Sequence, residues 1–137
     1  MMREILFRGK ATSGLNACKW VEGFFVKDFW FPASRGYGII PADNEKGGYC
    51  EVYPKTVGQY IGLTDKNGKK IFEGDIAKHF DRFYRKTVYG TVEYRYGCYV
   101  VHTFDSPNCP AIDVVMNESN VEIIGNIHDN PELLEGV

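Results

Sequence analysis

Apolar residues in this chain recur at every second position over short runs, the period of a strand with one buried face. Trp20 to Val26 sets Val21, Gly23 and Phe25 on one face and Trp20, Glu22, Phe24 and Val26 on the other. Lys86 to Tyr94 places Val88, Gly90, Val92 and Tyr94 together. Shorter runs predict an edge strand at Arg3–Arg8 and further strands at Tyr37–Ile40, Thr56–Leu63, Ile76–Phe80, Cys98–Phe104 and Val121–Ile127. Ala111–Met116 is too short for its period to separate a strand from a helical turn. A short helix is expected at Asn130–Glu135, with Asn130 as N-cap and Pro131 at the first helical position.

Turn chemistry punctuates these runs. Asp65-Lys66-Asn67-Gly68 carries Asp first and Gly fourth, which fits a type I turn closed by a left-handed glycine. A two-residue Asn67-Gly68 loop is the competing geometry. Either one makes Leu63 and Ile71 flank a hairpin. Gly74 predicts a sharp bend before the strand at Ile76. Tyr94-Arg95-Tyr96-Gly97 repeats the Gly-at-fourth-place pattern, so Cys98–Phe104 is expected to pair back on Lys86–Tyr94. Residues 31–49 are rich in Pro and Gly and read as loop around the strand at Tyr37–Ile40.

Strands this short, with a turn roughly every ten residues, predict a mostly β fold: a small SH3-like barrel or pseudobarrel with added N-terminal strands and a short C-terminal helix. The expected organisation is one domain over 1–137. Residues 1–50 supply N-terminal strands and loops, 56–127 the barrel and 130–135 the helix. Composition agrees. The 137 residues are 44% hydrophobic and 25% charged, with nine Tyr, nine Phe and two Trp, and such aromatic content suits pleated sheet. Net charge is −2, which provides no global field for nucleic acid. No apolar run reaches the roughly 18 residues of a membrane span, and the N-terminal run is too short for a secretory signal. A cytoplasmic location is expected. Cys18, Cys50, Cys98 and Cys109 lack metal-ligand spacing and read as free thiols behaving as small buried hydrophobes.

The stretch Val57-Gly58-Gln59-Tyr60-Ile61-Gly62-Leu63-Thr64-Asp65-Lys66-Asn67-Gly68-Lys69-Lys70-Ile71-Phe72-Glu73-Gly74-Asp75-Ile76 resembles the signature of the YopX family, small proteins of bacteriophages and prophages. Arg3–Lys10 resembles the family's opening strand, and Ile124–Leu134 its closing strand and helix. Ile61 and Ala77 stand where Thr and Val are usual, and Phe29–Gly48 matches no family pattern. The resemblance implies a mostly β fold and a phage or prophage origin in a bacterial host cell. It implies no activity and brings no catalytic, binding or metal residues with it. Its motif residues Gln59, Asp65, Asn67, Gly68, Glu73, Gly74 and Asp75 read as architecture. The glycines serve turns, and Gln59, Asp65 and Asp75 bond backbone at strand ends.

Chemistry is sparse by comparison. Glu73 and Asp75 are close enough for acid–base work, yet the turn around Gly74 makes backbone capping the better reading. His79, His102 and His128 are scattered, and no phosphate loop or nucleophile elbow is present. No cofactor is expected. Lys78-His79-Phe80-Asp81-Arg82-Phe83-Tyr84-Arg85-Lys86 interleaves four cations with aromatics. Lys78, Arg82, Phe83, Tyr84, Arg85 and Lys86 would bind a nucleic-acid strand if exposed, or form a solvated loop with tucked rings. The expectation is a non-enzymatic interaction or self-assembly module, a homo-oligomer or partner of a phage or host protein, with nucleic-acid binding as the alternative. No membrane role is expected.

Overall fold

Among the described residues, alternating side chains become ten strands: β1 (Phe7–Lys10), β2 (Trp20–Lys27), β3 (Tyr37–Pro41), β4 (Cys50–Glu51), β5 (Gly58–Thr64), β6 (Lys70–Phe72), β7 (Asp75–Asp81), β8 (Lys86–Arg95), β9 (Cys98–Thr103) and β10 (Val121–Asn126). A 3-10 turn lies at Pro54–Thr56 and a helical turn, α1, at Glu132–Glu135. The computed structural model describes residues 3–12, 14, 17–27, 36–43, 48–81, 85–95, 97–103 and 121–135. The expected strand or helical turn at Ala111–Met116 lies outside them. The mostly β expectation holds, but the barrel is not closed. The strands form two open antiparallel sheets, one of six strands and one of four. The chain also forms two compact units, Met1–Tyr60 and Ile61–Val137.

In the first unit the strand order is β4-β3-β2-β1-β5. The β2 alternation is as expected: Val21 and Gly23 are buried and Phe24 is exposed. Ala11, Val21, Ile39 and Val52 form the core, with Phe7, Phe25 and Tyr37 packed against it. Register explains the ring ladder across three strands. Phe7 lies opposite Gly23, and Phe25 opposite Ile39. Phe7 and Phe25 then approach to 5.5 Å between ring centroids, and Phe25 and Tyr37 to 5.7 Å. The edge strand expected at Arg3–Arg8 is corrected on two points. It begins at Phe7, and it is interior, paired to β2 on one side and to β5 on the other. Val52 packs directly over Gly9, where a Cβ would meet it at 3.0 Å.

In the second unit β5 runs on beside β6, and the other strands take the order β10-β7-β8-β9. Ile61, Ile71, Ala77, Val92, Val101, Val121 and Ile123 form its core, with Leu63 and Tyr99 packed against them. The hairpin at Asp65–Gly68 is present. The Gly68 N–H donates to the Asp65 carbonyl at 3.0 Å, and the Asp65 N–H donates to the Lys69 carbonyl at 2.8 Å. Gly68 has φ +82°, while Asn67 is absent from the described non-glycine residues with positive φ. A two-residue type I′ loop needs both in the left-handed region, so the type I turn closed by glycine is the one formed.

Two buried carboxylates lock this unit. Asp65 is 3% exposed. Its Oδ1 accepts the N–H groups of Asn67 (2.8 Å) and Lys69 (2.9 Å), and its Oδ2 accepts the N–H of Ile123 (3.0 Å) on β10. The Lys66 N–H reaches the Val121 carbonyl at 2.9 Å, so turn and strand are doubly joined. Asp75, 1% exposed, accepts the Phe72 N–H at 2.8 Å. Between β6 and β7 the expected bend is made by Gly74 at φ +88°. Its N–H donates to the Val92 carbonyl, and its carbonyl accepts from Ile127. At the C-terminal end Asn130 differs from its expected cap role. Its Oδ1 accepts the Asn126 N–H at 3.2 Å, while its carbonyl accepts the Leu133 N–H.

Space around a Cβ at residue 68 is open, so only the backbone torsion opposes substitution there. Gly68→Val should destabilise the chain by about 2 kcal/mol and Gly68→Asn by about half as much, because Asn tolerates left-handed torsions better. Urea unfolding of the three proteins measures both.

Burial alone would raise the Asp65 pKa. The N–H donors of Ile123, Lys69 and Asn67, with the Lys69 charge, outweigh it and hold the carboxyl below the usual range. A folded-state pKa below the unfolded one adds stability above about pH 4, and the gain fades as pH falls through that value and below. In Asp65→Asn an amide N–H would face the Ile123 N–H. This variant should lose about 2 kcal/mol at neutral pH and show a flatter acid limb in denaturant titrations from pH 7 to pH 2.

Candidate interaction surfaces

The face of β2 turned away from the first unit's core carries the largest apolar exposure in that unit's interior strands. Phe24 is 56% exposed. It lies opposite Ile40 on β3, and both Ile40 and its β2 neighbour Val26 are half-buried. The same alternation puts Trp20 and Glu22 on this face. The Arg8 guanidinium carbon stands 4.6 Å from the centroid of the Trp20 ring, and Lys10 Nζ stands 5.6 Å from it. Cross-strand register produces the stack, because Lys10 lies opposite Trp20 and Arg8 opposite Glu22. Beside it opens a cleft of about 450 Å³ lined in part by Lys19, Trp20, Glu22, Pro41 and Asp43. One cation and two carboxylates around one indole give it mixed charge with no convergent reactive group.

Sequence reasoning placed Phe24 on its correct face but did not single it out as a contact residue. Glu22 was the usable signal. A carboxylate between Trp20 and Phe24 marks the solvent side of a strand whose other side is Val21, Gly23 and Phe25.

In the second unit the expected basic and aromatic patch is only partly placed. Lys78 is half-buried on β7, with Tyr89 opposite it on β8 and Glu122 opposite it on β10. Phe80, two residues on and therefore on the same face, is 51% exposed. Arg85 is exposed in the turn before β8, at φ +51°. Arg82, Phe83 and Tyr84 lie outside the described residues, as does the side chain of Lys86. At the other end of β8, Tyr94 is 58% exposed and meets Tyr99 edge-on at 5.0 Å.

The motif residues fall where the turns are. Asp65, Asn67 and Gly68 build the hairpin, and Glu73, Gly74 and Asp75 the following bend. Gln59 sits within β5 opposite Phe7. Asp75 is therefore committed to backbone, as the capping reading expects. The three histidines are not brought together: His79 is buried in β7, His102 lies on β9, and His128 follows β10. Among the described residues no group of three or more His, Cys, Asp or Glu is arranged to hold a metal ion. Cys18, Cys50 and Cys98 are free thiols. Their expected burial is corrected, since Cys18 and Cys98 are exposed. Cys18 sits in a turn, and Cys98 opens β9 directly after one, where the chain reverses at the surface. Cys109 lies outside the described residues. No described helix is long and apolar enough to cross a membrane.

Comparison with known proteins places this arrangement. No curated protein matches the chain. The crystal structure of protein EF1440 from Enterococcus faecalis is similar, with a TM-score of 0.58 and 23% identity over 97% of this chain and 99% of that one. At that identity the likeness speaks to the fold. The family profile described as YopX protein matches residues 18–135, a span that holds the hairpin, both buried aspartates and the closing strand. This chain belongs to the YopX family.

Proposed function

We propose that this protein is a non-enzymatic phage or prophage accessory protein, acting in the bacterial cytoplasm as a protein-interaction or self-assembly module. The observation that carries the reading is Phe24: a large ring in mid-strand, more than half exposed and flanked by Ile40 and Val26. A solvated sheet face ordinarily presents polar residues at such a position, and contiguous apolar exposure marks contact surfaces. Trp20, with Arg8 and Lys10 stacked on its ring, borders it with an aromatic group of the kind enriched at interfaces. The phage setting follows from what the family resemblance implies.

Phe24→Thr tests the reading, since it puts a strand-favouring β-branched residue at an exposed site and should change stability by less than about 1 kcal/mol. Cross-linking with mass spectrometry in cells making the protein should give cross-links to a second copy or to one defined protein. The variant should cut their yield about tenfold. Equal yields, or no cross-links from the parent protein, would overturn the reading.

A second reading is nucleic-acid binding through β7 and the turn after it. Exposed Phe80 beside Lys78, with exposed Arg85 following, offers a stacking ring among cations. It expects binding to a labelled single strand at about 50 mM salt that weakens steeply by about 200 mM. Phe80→Ala and Arg85→Ala should each weaken it about fivefold or more in fluorescence anisotropy. No binding at the lower salt removes this reading.

A further inference from the structure

The turn between β5 and β6 carries the one Asn-Gly pair in the sequence, Asn67-Gly68. Asparagine followed by glycine is prone to spontaneous deamidation, because no Cβ on the glycine shields its nitrogen from the amide before it. In that reaction the Gly68 nitrogen gives its proton to a solvent base and attacks Asn67 Cγ. A C–N bond forms, the bond from Cγ to the side-chain nitrogen breaks, and that nitrogen takes a proton and leaves as ammonia. Water then opens the five-membered succinimide. Opening at Cγ gives aspartate. Opening at the Asn67 main-chain carbonyl gives isoaspartate, whose main chain runs through Cβ. Water is the only co-reactant.

Asn67 and Gly68 are both exposed, so water and base reach them. The folded turn nevertheless opposes the first step twice. The Gly68 N–H is donated to the Asp65 carbonyl at 3.0 Å, which keeps its proton from solvent. A type I turn also holds ψ of its third residue, here Asn67, at about 0°, whereas ring closure needs Cβ, Cα, C and the next N nearly coplanar, about 120° of rotation away. That rotation cannot keep both the Asn67 N–H and the Lys69 N–H on Asp65 Oδ1, where they stand at 2.8 Å and 2.9 Å.

The same two bonds decide what the product does. An isoaspartate at residue 67 adds a carbon, about 1.5 Å of backbone, between these donors, and one oxygen can no longer hold both. It also sets a new carboxylate near the buried one. Asp65 Oδ2 is what fixes Ile123 of β10, so a lesion in the turn reaches a strand far along the chain.

We propose that Asn67 is a site of spontaneous modification, held intact by the Asp65 turn, and that its conversion to isoaspartate uncouples β10 from the hairpin by lengthening the main chain.

Peptide mass spectrometry on the full chain, aged in mildly alkaline buffer, should find deamidation at Asn67 at least about tenfold slower than in the same buffer with guanidinium chloride. Asp65→Asn should deamidate at Asn67 at least about tenfold faster than the parent protein without denaturant. For the product, chain aged in denaturant is refolded and its isoaspartate form separated. In that form the Ile123 amide should exchange hydrogen at least about tenfold faster than in fresh protein. Asn67→Asp, which adds the charge on an unchanged main chain, should keep Ile123 protected. An isoaspartate form that does not refold, beside an Asn67→Asp protein that does, supports the proposal equally. Equal rates with and without denaturant, no conversion of Asn67 in either, an Ile123 amide equally protected before and after conversion, or the same loss of protection in Asn67→Asp would each overturn it.

Discussion

One carboxylate does what the second unit's hydrophobic contacts cannot do alone. Apolar packing is non-directional and would tolerate β10 shifted along β7. The three N–H groups bound by Asp65 fix the turn internally, through Asn67 and Lys69, and fix β10 against the turn, through Ile123. The carboxylate is buried, and desolvating it costs more than one such bond returns. Three charge-assisted bonds offset that cost and leave the ionised form favoured. Asp75 repeats the device in smaller form at Phe72.

Local features were the legible ones. Gly68 announced its turn because few residues other than glycine accept that torsion, and the Asp65-x-x-Gly68 spacing is complete within four residues. The face assignment of β2 was legible because a two-residue period needs only its own strand. What escaped was non-local. Nothing near Asp65 in sequence points to Ile123, 58 residues on. Nothing in Arg3–Arg8 says whether one strand or two will flank it, since pairing with β5 depends on where residues 58 and 59 arrive. The open sheets in place of a closed barrel have the same origin: local period gives the strands but not their neighbours.

The candidate surface was legible in part for the same reason. Phe24 could be put on a face but not weighed, because exposure depends on what else covers that face. The stretch around Lys78 was read as a unit from composition, yet a strand sends neighbouring residues to opposite faces. His79 is buried between Val88 and Val121, while Lys78 and Phe80 share the other side. Only every second residue of an interleaved stretch can meet one ligand when the stretch is β.

The long reach of the Asp65–Ile123 bond bears on how the chain acquires its shape. The hairpin and the β7–β8–β9 meander join segments close in sequence and can zip as they leave the ribosome, while β10, opening at Val121, emerges after them. Until it docks, β7 has an open side and the Asp65 carboxylate keeps its water. Release of that water and arrival of the last strand are then one event. The final step of maturation is therefore cooperative, and it is also the step at which a neighbouring nascent chain competes for the same side of β7.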